Sequence, residues 1–156
     1  MIDRMLDFLT GRRAPSLADR PDELELAVAA LLIEAARMDD TFGEAERATI
    51  ERLLKERFDL KPDAVQSLME AAESAVRQAT QFFPFTREIV QRISPEDRVD
   101  ILEMMWEVAY ADGVLDPQED ALLRRIAGLI HVSDQERGLA RHRALAKLKS
   151  KGPWGQ

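Results

Sequence analysis

No cysteine occurs among the 156 residues. Disulfides, thiol nucleophiles and thiolate metal sites are therefore excluded, and the absence suits a reducing compartment. Histidine is scarce as well. His131 and His142 are the only two; they are expected on different helices, without a carboxylate at ligand spacing, and read as solvated or capping groups. No stretch approaches the ~20 apolar residues that a membrane span requires. The N-terminal segment lacks a basic stretch followed by an uninterrupted apolar run, so no secretory signal is expected and the expected compartment is the cytoplasm. The phosphate-cradling glycine loops and the G-x-S-x-G elbow are missing too. Seven glycines and seven prolines are too few for a low-complexity chain and fall where they can punctuate helices. Positive charge is in deficit: 22 Lys and Arg stand against 29 Asp and Glu, a net charge of −7 with a pI near 5.0. Such a surface repels phosphate backbones, so no nucleic-acid partner is expected. Arg141 to Lys151 is the one locally basic stretch.

What remains is dense in helix signals and free of alternating β patterns. Ile2, Met5, Leu6 and Leu9 give a short amphipathic helix at the N-terminus, followed by a loop from Thr10 to Arg20. This segment, with Arg12 and Arg13, could touch a membrane, but Asp3 and Asp7 favour docking on the core. Pro21, Asp22 and Glu23 open a helix that reaches about Arg37, with the proline at its first position. Leu26 to Ala36 is apolar except for Glu34, which predicts a central, buried helix. Further helices are predicted from Glu44 to Arg57, Pro62 to Ala79, Thr86 to Arg92, Ser94 to Ala111, Asp116 to Ile130, and from Ser133 onward. Phe82 to Phe85 reads as an aromatic turn plugging the core. Met104, Met105 and Trp106 read as core, and Asp100, Glu103 and Glu107 as an acidic, solvated stripe. The expected organisation is a short N-terminal helix and loop over residues 1–20, an all-α domain over 21–148, and a frayed tail over 149–156.

The two halves match each other. EAARMDDTFGEAE, from Glu34, aligns with EVAYADGVLDPQE, from Glu107. Glu34 pairs with Glu107, Asp39 with Asp112, Phe42 with Leu115, and Glu46 with Glu119, each 73 positions apart. Ile50 with Leu123 and Leu53 with Ile126 continue the match, after which a one-residue gap is needed. The predicted architecture is all-α, seven to eight helices, in two pseudosymmetric helix-turn-helix units packed in one bundle.

The acidic turn admits two readings. As structure, Asp116 caps a helix and Glu119 closes the box, Gly113 ends the preceding helix, and Leu115 and Phe42 plug the gap between helices. As a site, Asp39 and Asp112 lie at helix C-termini, where a carboxylate is disfavoured by ~0.3–1 kcal/mol, and Glu34 is a lone carboxylate in an apolar run that needs a partner. A hard divalent cation, calcium or magnesium, would answer both. The candidate ligands are Asp112, Asp116, Glu119, Glu107, Asp39, Glu46 and Glu34. The spacing differs from the 12-residue EF-hand loop. Glu107 and Asp112 are separated by about 140° on an ideal helix, so they converge only if the helix ends early. Arginines such as Arg37, Arg87, Arg98 or Arg124 could instead neutralise Glu34 and Glu107.

The segment EDRVDILEMMWEVAYADGVLDPQEDALLRRIAGLI, with its W-x-x-A-x-A-D-G-x-x-D-x-x-E core, resembles the TerB tellurite-resistance family. ALLIEAARMDDTFGEAERATIERLL resembles that family's earlier acidic turn, and the likeness spans about Leu24 to Val132. In the first turn Asp40 replaces the usual glycine, and Gly43 stands where the second has Asp116. The resemblance implies an all-helical fold of about seven helices and a bacterial cytoplasmic protein tied to tellurite and other chemical stress. It also implies metal binding through clustered acids, a protein partner, and peripheral association with a membrane complex. No reaction follows from it. Three functions are thus in play: a non-enzymatic stress-response module that binds a divalent cation, a purely structural protein-interaction domain, and a metal-dependent enzyme that uses the acidic turns.

Overall fold

The computed structural model describes residues 22–37, 43–79, 83–111 and 117–151. The expected N-terminal helix and its loop, Pro21, both turn tips and residues 152–156 lie outside the described residues. Among those described there are seven helices and no strand: α1 (Glu23–Ala36), α2 (Glu44–Phe58), α3 (Pro62–Gln78), α4 (Phe83–Arg92), α5 (Pro95–Ala109), α6 (Pro117–Leu129) and α7 (Asp134–Lys151). None is long and apolar enough to cross a membrane.

Local chemistry accounts for most boundaries. Asp22 is the N-cap of α1, its carboxylate accepting from the Leu24 N–H at 2.9 Å; Pro21 therefore precedes the cap instead of opening the helix. Ser94 caps α5 and Ser133 caps α7, and in the latter Glu136 also reaches back to the Ser133 N–H at 3.1 Å. Prolines 62 and 95 sit in the first turns of α3 and α5, where the missing donor has no intrahelical acceptor to serve. The same tolerance corrects one boundary. α4 begins at Phe83, three residues before the predicted Thr86, because Pro84 fits a first helical turn; of the residues read as an aromatic turn, Phe83 to Phe85 belong to the helix and Phe82 lies outside the described residues. Within it Phe85 and Thr86 are buried and Pro84 is exposed.

α1 is the central helix that its composition predicts. Ala27 to Ile33, Ala35 and Ala36 are all buried, and α1 packs against α2, α3, α4, α5 and α6. Each of its larger aliphatic side chains contributes ~1.5–3 kcal/mol by leaving water. α5 is the second buried helix: Ile101 to Ala109 are buried without interruption.

The repeat is visible in the backbone. α1 ends at Ala36 and α5 at Ala109; α2 starts at Glu44 and α6 at Pro117, in both cases 73 positions apart. Asp59 after α2 and His131 after α6 both have positive φ, 52° and 62°. They are 72 positions apart, so the one-residue gap falls in the last turn of the preceding helix. Each is followed by the same six-to-one bond, from the Leu60 N–H to the Lys55 carbonyl and from the Val132 N–H to the Ala127 carbonyl. His131 consequently belongs to this turn and not to a helix. The third helices, α3 and α7, correspond as well. Equivalent pairs pack in equivalent ways: α1 on α3 as α5 on α7, α1 on α2 as α5 on α6, and α2 on α5 as α6 on α1. α1 and α5 also pack on each other, joining the two units into one core.

Candidate functional site

Four of the seven candidate acids lie among the described residues. Glu46 and Glu119 are each the third residue of the helix that follows an acidic turn, and both are buried, at 7% and 4% exposure. The helix start favours an anion there, since the free N–H groups and the helix dipole both face it. Glu46 uses one oxygen to accept from the Gly43 N–H at 3.3 Å, the backbone half of a capping box. Gly43 itself has no side chain with which to complete that box. Arg47, next in the chain, pairs with Glu73 of α3. The side chains of Asp39, Asp112 and Asp116 fall outside the described residues. Among the described residues no three His, Cys, Asp or Glu side chains are grouped closely enough to hold a metal ion.

Glu34 and Glu107, the helix-end acids, are equivalent in sequence and differ in setting. Glu34 is half-buried, and its pKa is raised, chiefly by burial, with the nearby Arg37 charge opposing. Glu107 is only 1% exposed. Arg52 of α2 approaches its Oε1 at 3.5 Å, and Lys147 of α7 lies 3.7 Å from its Oε2. The same ammonium makes a close ion pair with Glu103, one turn earlier on α5. Lys147 has a raised pKa for that reason first, with the Glu107 and Glu103 charges adding and burial opposing. At 3.7 Å from Oε2 of Glu107, the lysine stands beyond a normal hydrogen bond, and that oxygen has no closer donor.

This corrects the reading of Asp100, Glu103 and Glu107 as a solvated stripe. α7 packs along that face of α5, burying Glu103 and Glu107 and leaving Asp100 half-exposed beside Arg143 at 4.0 Å. The expected neutralising arginines are also mostly elsewhere. Arg98 donates to the carbonyl oxygens of Ile93, Val90 and Ile130, two of which close the exposed C-terminal ends of α4 and α6. Arg124 pairs with Asp120. Arg37 alone acts on Glu34 as expected, while Arg52 and Lys147 were missed. A signal for Arg52 existed: it sits 73 positions before Arg125, so the repeat carries an arginine at the same place on α2 and α6.

The ion cluster opens on a cleft of about 330 Å³ between α2, α5 and α7, lined by Leu53, Glu56, Arg57, Asp100, Glu103, Met104, Glu107 and Lys147. Beyond it, Trp106 is fully buried, with Tyr110 stacked on it at 5.8 Å and the Arg141 guanidinium 5.5 Å over its ring. Arg141 also donates to the Tyr110 hydroxyl at 2.9 Å. These contacts anchor α7 to the end of α5 that leads into the second acidic turn.

No curated protein and no solved structure matches this chain. The sequence model of one family does, over residues 25–142, which takes in six of the seven helices and the first half of α7. That span includes both acidic turns and most of both repeats, and the chain belongs to the family described as tellurite resistance protein TerB.

Proposed function

We propose that the chain is a non-enzymatic, tellurite-resistance-type stress-response module that binds a divalent cation, calcium or magnesium, at its acidic turns and presents the resulting surface to a protein partner. The observation that carries this reading is the paired placement of Glu46 and Glu119. Two buried carboxylates stand 73 positions apart, each at the start of the helix that leaves an acidic turn. Asp112, Asp116 and Glu119 form the stronger set; Asp39 and Glu46 form the pseudosymmetric one. Oxygen-only, carboxylate-rich ligation suits a hard cation. Glu107 is a flanking charge in this account, because Arg52 and Lys147 already meet it. Glu34 lacks an equivalent of Lys147 and is the helix-end acid with more to gain from a cation at its turn. The partner would meet the turns, and peripheral attachment to a membrane complex would follow through that partner.

A purely structural interaction domain is the second reading, favoured by the Gly43 N–H bond to Glu46, which is what a helix cap alone would make. A metal-dependent enzyme would need a cleft joining the turns, and the cleft beside Glu107 includes neither Glu46 nor Glu119 in its lining. Thermal unfolding of chelator-treated protein, with and without millimolar calcium or magnesium, separates the first two readings. A cation bound only by the folded state must raise the midpoint by mass action. An unchanged midpoint with both ions favours the caps, in which case Asp116→Ala costs only the ~1 kcal/mol of a lost N-cap.

A further inference from the structure

The ion cluster under α7 contains a mismatch between what is buried and what serves it. Glu103 and Glu107 are four residues apart on α5, hence on one helix face, and both are more than nine-tenths buried. One ammonium, that of Lys147, spans them. It sits close to Glu103 and 3.7 Å from Glu107 Oε2, which has no closer donor. Arg52 reaches only the other oxygen of Glu107, and at 3.5 Å. A carboxylate held this deep ordinarily accepts donors on both oxygens, and leaving one without costs free energy. An ammonium has three donors, but this one sits close to Glu103 and leaves Glu107 Oε2 beyond bonding reach, whereas a planar guanidinium presents parallel donors along two edges and can engage both carboxylates. Lys147 is half-exposed, at 50%, so its side chain can swing outward without unpacking α7. Behind it the cleft offers Leu53 and Met104 as apolar walls and Glu56 and Asp100 as further acids towards the rim.

We propose that this cleft is a binding site for a guanidinium group, which displaces the Lys147 ammonium and bridges Glu103 and Glu107. The methylene stem of the ligand lies along Leu53 and Met104. Exchanging one cation for another leaves the buried charge balanced, so the gain comes from the added directed bonds and not from new charge burial. The site is particular to the second repeat. At the equivalent positions of the first, Ala30 stands for Glu103 and Ala75 for Lys147. It requires no metal at the acidic turns.

The test follows the thermal midpoint of the full chain with added agmatine, with an arginine-centred pentapeptide, and with its citrulline-centred counterpart. Lys147→Ala lowers the midpoint by removing the ammonium that Glu103 and Glu107 share, and agmatine restores part of that loss. Agmatine affinity rises at least tenfold in Lys147→Ala relative to the natural chain, and the stabilisation disappears in Lys147→Ala/Glu107→Gln. A stronger effect of the arginine peptide than of agmatine identifies a protein side chain as the source of the group, and the reverse identifies a free small molecule; either supports the site. Equal shifts with the citrulline peptide, no shift in Lys147→Ala, or an undiminished shift in the double variant would overturn it. If Lys147→Ala does not fold, calorimetry of agmatine on the natural chain against Asp100→Asn/Glu56→Gln, both at the surface, decides. Saturable binding weakened by the rim changes sustains the site, and its absence sinks it.

Discussion

The same carboxylate, placed twice by the repeat, meets two different fates. Glu107 ends α5 fully buried between Arg52 and Lys147. Glu34 ends α1 half-buried, with a raised pKa and, among the described residues, the Arg37 charge in opposition. The backbone does not account for this difference, since the helices around both acids begin and end in register. It comes from the third helix of each unit. α7 brings a lysine over α5, where α3 offers Ala75 to α1. A repeat can therefore preserve its geometry while one copy locks its charges internally and the other leaves a carboxylate under tension.

The largest expected effect tests whether the two units are one structure. Trp106→Ala should cost ~3–5 kcal/mol and Ile33→Ala, its counterpart 73 positions earlier, ~2–5 kcal/mol, because each empties a fully buried site in the same core. Both variants should unfold in one denaturant transition of unchanged slope; two transitions in either would separate the units and break the comparison.

Next in size is the contrast between the two acids themselves. Glu107→Ala should lose about 1–3 kcal/mol, less than the full value for breaking a buried pair because Arg52 and Lys147 remain partly in water. Glu34→Gln should cost nothing and gain a few tenths of a kcal/mol at neutral pH, after allowance for its solvent exposure. Equal losses at both positions, read from denaturant midpoints, would mean that Glu34 has a buried partner as firm as those of Glu107.

Capping offers a smaller and cleaner comparison. Ser133 caps α7 through its hydroxyl, while Lys61, at the same place before α3, makes no side-chain cap bond. Ser133→Ala should therefore cost ~1 kcal/mol, and Lys61→Ser should gain up to about that much. A neutral result for both would remove capping as a difference between the units.

The smallest effect is in pH. The folded-state pKa of Glu34 lies above its ordinary value of 4.5. Its protonated form is thus favoured by folding: the contribution is fully present below pH 4.5 and is lost as pH rises through the raised value. Glu34→Gln should remove that decline, so the variant gains on the natural chain between pH 4.5 and 7. A parallel pair of stability curves over this range would contradict the assignment.

Much of this was legible in the residues. Seven helices follow from proline and capping positions, the burial of α1 from its unbroken apolar run, and the repeat from the Glu34 and Glu107 segments. The one-residue gap needed after Ile126 is real and sits before His131. The cluster around Glu107 was not legible. A carboxylate every fourth residue looks the same whether water or another helix covers it, and only the packing of α7 on α5 decides between them. Arg52 belongs to the other unit and lies 55 positions from its partner, beyond the reach of any local pattern. The start of α4 was misplaced for a simpler reason: a proline among phenylalanines reads equally well as a turn or as a first helical turn.

The central claim is that the acidic turns hold a divalent cation, the second more tightly than the first, since Gly43 stands where the second turn has Asp116. Calorimetric titration of the chelator-treated chain with calcium, magnesium, manganese and zinc tests it directly. The expected result is saturable micromolar binding of calcium or magnesium that Asp112→Asn abolishes at the tighter site. No heat of binding from any of the four ions, or binding that Asp112→Asn leaves unchanged, would contradict the claim and leave the turns as helix caps.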